Sequence, residues 1–70
     1  MRHFRTQAGV TLAELARRAS VAERTAHRVE SGDGNRREVT LRKLYNALIT
    51  VPYYAQHPPG FEEVFPGMVP

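Results

Sequence analysis

Apolar residues recur at helical spacing through the first fifty positions. Phe4 and Ala8 stand one turn apart and are followed by Gly9, a residue that commonly ends helices. The segment TLAELARRA places Leu12, Leu15, Ala16 and Ala19 at i, i+3, i+4 and i+7, which predicts a helix with one apolar face. Thr11 and Glu14 form a T-x-x-E capping box at its start, and Arg17 and Arg18 fall on its outer face. The next segment, SVAERTAHRVESG from Ser20 to Gly32, turns Val21, Ala26 and Val29 inward. It leaves Glu23, Arg24, His27, Arg28 and Ser31 outside, so a third helix is expected over about 21–31. A stretch with the composition of a loop, SGDGNRREVT, separates it from TLRKLYNALI. There Leu41, Leu44, Tyr45 and Leu48 restore the pattern, and Thr40 is the expected N-cap.

The pattern changes at Thr50. All five prolines, Pro52, Pro58, Pro59, Pro66 and Pro70, lie beyond it. Proline argues against long helices. Four of the six aromatic residues, Tyr53, Tyr54, Phe61 and Phe65, lie there as well, more than a free linker holds. GFEEVF has the makings of one helical turn. Residues 1–49 are therefore expected to form an all-α body, and 50–70 an irregular Pro/aromatic tail. The four aromatics are expected to pack on the body or on a partner subunit, with the partner favoured.

Charge sharpens this division. The net charge is +3, and all ten basic residues, nine of them Arg, lie between Arg2 and Lys43 with five acids. The remainder holds only Glu62 and Glu63 as charged side chains. Arginine suits phosphate and base edges better than lysine does. A basic body with an acidic tail points to nucleic acid as the partner of the body. The competing reading is a solvated helical surface. Cysteine is absent, which excludes a disulfide scaffold and thiolate chemistry and fits a reducing, cytoplasmic setting. The opening MRHFRTQAG lacks the apolar block of a secretory signal, and no apolar run approaches the ~20 residues of a membrane span.

Two short helices joined by a tight connection, the second with an exposed polar face, make up the helix-turn-helix plan. The stretch TLAELARRASVAERTAHRVESG resembles the helix-turn-helix of the Cro/phage-repressor (XRE-like) family. Thr11, Glu14, Leu15, Ala16, Val21, Thr25, Val29, Glu30 and Gly32 fall in step with that family's pattern. TLRKLYNAL matches its following helix, and the resemblance spans about Arg2 to Ile49. It implies a compact four- to five-helix fold. There are departures. Ser20 stands at the family's turn glycine, Ala22 at its usual Ser/Thr cap, and Ala26 at a larger aliphatic position. Ser20 therefore either occupies the left-handed turn, or caps the third helix through its own S-x-x-E with Glu23.

The resemblance implies a site. The third helix would enter the major groove of duplex DNA with Ala22, Glu23, Arg24 and Arg28 at the bases and Thr25 and His27 at phosphate or base. Arginine forks onto guanine and glutamate accepts from cytosine N4. Solvated charges are the alternative for Arg24 and Arg28, and the role of capping acid for Glu23. Thr11 combines capping with the family's phosphate anchor. Asn35, Arg36 and Arg37 belong either to a backbone-contacting loop or to a plain basic one, and Arg42 and Lys43 stand within reach of phosphate. Arg5 and Glu30 match a structural ion pair of the family.

His3, His27 and His57 lack metal-ligand spacing, and no triad, phosphate loop or paired acids are legible. Neither enzyme activity nor a cofactor is expected. The expected role is a repressor-like transcriptional regulator of phage or bacterial type, binding double-stranded DNA as a homodimer away from membranes. The alternative is a protein-interaction module, such as an antitoxin, that holds a protein partner through its tail.

Overall fold

The computed structural model describes residues 1–32 and 37–66. Among these the fold is all-helical: α1 Arg2–Gln7, α2 Leu12–Ala19, α3 Glu23–Ser31, α4 Glu38–Ile49, a 3-10 turn Pro52–Tyr54 and α5 Phe61–Val64. α2 packs on both α3 and α4, and α4 also carries the 3-10 turn and α5.

The helix ends follow from local chemistry. At the end of α1, Gly9 is left-handed (φ 71°), its N–H donates to Thr6 O, and Val10 N–H donates to Arg5 O. This pair of bonds satisfies two carbonyls that the ending helix would otherwise strand. The end of α2 repeats the arrangement with a residue that has a side chain. Ser20 sits at φ 59°, ψ 39°, its N–H donates to Arg17 O, and Val21 N–H donates to Ala16 O. Ser20 is thus the turn residue and not the cap of α3. The third helix begins at Glu23, later than the sequence pattern suggests, behind an extended Ala22 whose side chain caps nothing.

A side chain in the left-handed region costs roughly 1–2 kcal/mol, partly offset by the unfolded-state entropy a glycine would add. Ser20→Gly is therefore expected to stabilise the fold by ~0.5–1 kcal/mol, and Ser20→Ala to change it by a few tenths. Paired thermal melts decide the matter. A destabilised glycine variant would mean that the turn is not left-handed in solution.

Two other expected caps differ from what forms. Only half of the α2 capping box is made. Thr11 Oγ1 accepts from Glu14 N–H at 3.1 Å, while the Glu14 carboxylate turns down the helix to Arg18 instead of back to the cap. α4 starts at Glu38 rather than after Thr40, and its N-cap is Arg37, with no side-chain bond. Glu38 in the first turn suits the positive end of the helix and pairs with Arg42 one turn on, which carries the helix past Thr40.

The core runs through the whole chain. Leu15, Ala16, Ala19, Ala26, Val29, Leu41, Leu44, Ala47 and Leu48 form its helical part, and Val51, Tyr54, Val64 and Phe65 belong to the same cluster. Residues 51–65 therefore complete the body rather than hang from it. Tyr54 Oη donates to Phe4 O at 2.7 Å, tying the 3-10 turn to α1. Burial, with neighbouring Tyr53 adding to it, pushes this hydroxyl's pKa above the ordinary value, so it stays a donor. Tyr45 Oη donates to Pro59 O at 2.8 Å. The Phe61 ring stands edge-on to Tyr45 and under the Arg42 guanidinium, 4.2 Å from its centroid. Of the four tail aromatics, Tyr54 and Phe65 are buried, Phe61 is half-buried against α4, and Tyr53 is 59% exposed. The packing of the first three is on the body; Tyr53 alone remains open to a partner subunit.

Candidate nucleic-acid interface

α3 owes its pose to three things. The left-handed turn at Ser20 reverses the chain after α2. Ala26 and Val29 are buried against the core, at 0% and 3% exposure. The third is a fork of hydrogen bonds from α1: Arg5 Nε and Nη2 each donate to the Glu30 carboxylate at 2.8 Å, while Arg5 Nη1 donates to Val10 O at 3.0 Å. One guanidinium therefore holds α1, the turn before α2, and α3 together. The planar fork that makes this bidentate contact is specific to arginine. The pair is mostly covered, with side-chain exposures of 16% and 12%.

With Ala26 and Val29 fixed inward, the 3.6-residue repeat sets the opposite face. Arg24 and Ser31 lie closest to that crest, and Arg28 and His27 lie within about 50° of it on either side. Glu23 and Thr25 fall about 90° or more off the crest, on opposite flanks. All six are exposed. Among the described residues the ion pairs are Arg5–Glu30, Arg18–Glu14 and Arg42–Glu38, so Arg24 and Arg28 carry no acidic partner among them.

The other expected site residues are distributed as follows. Ala22 is exposed and extended in front of α3. The first-turn N–H groups behind it have no side-chain acceptor and are available to an anion. Glu23 makes no capping bond; it occupies that first turn, where its charge favours the helix. Its flank position suits this role better than a base contact. Thr11 sits exposed at the N-terminus of α2 with its oxygen committed to Glu14 N–H. Arg37 is exposed at the start of α4. Asn35 and Arg36 lie outside the described residues. Arg42 is engaged by Glu38 and Phe61, which removes it from the free cations, whereas Lys43 carries no ion pair among the described residues. Ser31 shares the crest of α3 but was not expected to belong to the site. Its position about 140–160° around the helix from Ala26 and Val29 is the signal, and its hydroxyl is turned back onto His27 O and Arg28 O.

No group of three or more His, Cys, Asp or Glu residues among those described is placed to hold a metal ion. No helix among them is long and apolar enough to cross a membrane.

A bundle in which α2 and α3 are joined by a tight left-handed turn, with α3 presenting an exposed basic crest, defines a helix-turn-helix domain. The chain belongs to the helix-turn-helix domain family, whose model matches residues 1–51. Membership of this family points to a DNA-binding regulator. No curated protein and no solved structure matches the chain.

Proposed function

We propose that this chain is a sequence-specific, repressor-like regulator of the Cro/phage-repressor (XRE-like) type, which lays α3 in the major groove of double-stranded DNA. The observation that carries the reading is the pair Arg24 and Arg28, exposed on the crest of α3 and unpaired with any acid among the described residues. A merely soluble helix gains from i,i+4 acid–base pairs, as Glu14–Arg18 and Glu38–Arg42 do here. α3 places arginine at both ends of the same spacing instead. Such a crest repels itself in isolation and is suited to a polyanion.

One helix of this length reads only a few base pairs, so a homodimer on a two-fold site with half-sites about one helical turn apart is the expected working form. Tyr53 is the tail aromatic left for the second subunit. The reading places the protein in the cytoplasm with its DNA.

The test is the affinity for duplex across a salt series. Log affinity is expected to fall linearly with log salt, with a slope of about −0.9 per neutralised phosphate. Sedimentation of the same complexes then counts the subunits bound. Negligible duplex affinity even at low salt would remove the DNA reading and favour a protein-interaction module.

A further inference from the structure

We infer that α3 selects two G·C base pairs separated by one intervening pair within each half-site, Arg24 reading one and Arg28 the other. The inference rests on the DNA reading above and specifies its target.

Three observations lead to it. Arg24 and Arg28 are four residues apart on a continuous helix, hence about 6 Å along the axis and about 40° apart around it. Stacked base pairs rise about 3.4 Å per step, so a helix lying along the groove floor sets the two guanidinium groups about two steps apart. The exposed crest also runs the length of the helix, through Arg24, His27, Arg28 and Ser31. A helix with its side chains is about 10–12 Å across, which the ~12 Å width of the major groove admits, so the crest can lie along the floor. An end-on approach would instead bring Glu23, the first residue of α3, to the base edges, where its carboxylate finds a donor only at cytosine N4 or adenine N6. Finally, no acid or aromatic ring among the described residues holds either guanidinium. Both forks are free to place two parallel N–H donors on guanine O6 and N7, the pattern that adenine, with its N6 amino donor, does not offer. Flank residues meet the walls of the groove; crest residues meet its floor. This separates Arg24 and Arg28 from Arg17, which is exposed on α2, off the α3 crest, and has no ion pair among the described residues.

The experiment is selection of bound sites from a random duplex pool, run with the full chain and with Arg24→Ala, Arg28→Ala and Arg17→Ala. All three residues are exposed, so the variants are expected to fold, and circular dichroism confirms it. The full chain is expected to enrich two G·C pairs with one pair between them. Arg24→Ala and Arg28→Ala are each expected to lose one of the two, with about five- to hundredfold weaker binding to the selected site and a much smaller change on random duplex. Arg17→Ala is expected to leave the selected positions unchanged. Salt-dependent binding with no such spaced pair, or arginine variants that weaken every sequence alike, overturns the inference while leaving the DNA reading standing. An absence of duplex binding at any salt overturns both.

Discussion

Phe65→Ala is expected to cost about 3–5 kcal/mol, the range for removing a buried aromatic ring and leaving its cavity. The side chain is 1% exposed and shares a core with Leu15, Leu44 and Leu48 on the helical body. A domain of this size has a total stability of about 3.5–10 kcal/mol, so one ring at the C-terminal end carries a large part of it. The same logic extends to truncation after Thr50. That cut removes Val51, Tyr54, Val64 and Phe65 from the core together with the bond from Tyr54 to Phe4 O. The shortened chain is expected to lose its cooperative unfolding transition and most of its helicity. Tyr53→Ala, at the exposed neighbour, is expected to change stability by only a few tenths of a kcal/mol. Circular dichroism melts of the three variants check this. A truncated chain with native helicity and a sharp transition would show the aromatic segment to be dispensable to the fold.

The second large effect lies at Arg5. Arg5→Ala is expected to destabilise by about 3 kcal/mol, the low end of the range for breaking a buried pair, because both partners keep some exposure. The change leaves the Glu30 carboxylate without its two donors and Val10 O without its own. Arg5→Lys keeps the charge but not the fork, and is expected to recover only part of the loss. The pair ties α1 to α3, so duplex affinity is expected to weaken in both variants beyond what the unfolded fraction explains. Denaturant unfolding of Arg5→Ala, Glu30→Ala and the double variant isolates the pairwise energy. A coupling below about 0.5 kcal/mol would reduce the contact to a surface ion pair. Adding salt to 0.5 M is expected to change the measured coupling little, since the pair is largely covered from solvent.

These two positions also mark how far the chain alone could be read. Leu12, Leu15, Ala16 and Ala19, then Ala26 and Val29, reveal the helices and their inward faces through spacing, because a helix that must bury one side cannot hide its period. The crest of Arg24 and Arg28 follows from the same spacing, as the complement of the buried face. What spacing could not settle is any choice between two local solutions of similar energy. Ser20 offers both a cap and a turn, and the choice fell to the turn because Ala16 and Val21 must both reach the core across it. The carboxylate of Glu14 had Thr11's end and Arg18 within reach, and took the cation. Glu38 outcompeted Thr40 for the start of α4 because a first-turn acid with a partner one turn on extends a helix without a capping side chain. The C-terminal segment was least legible of all. Tyr54, Val64 and Phe65 follow no period, since their place is set by Pro52, Pro59 and the surface that α1 and α4 offer them. Composition identified them as too apolar to be free, and only the tertiary structure assigned them to this chain's own core, leaving Tyr53 outside. The sequence by itself determined the helices, the basic crest and the helix-turn-helix plan, because these rest on contacts within a turn or two. Where the aromatic rings go depends on contacts between residues far apart in the chain, as between Tyr54 and Phe4, fifty positions apart. Such contacts exist only once the helices have packed.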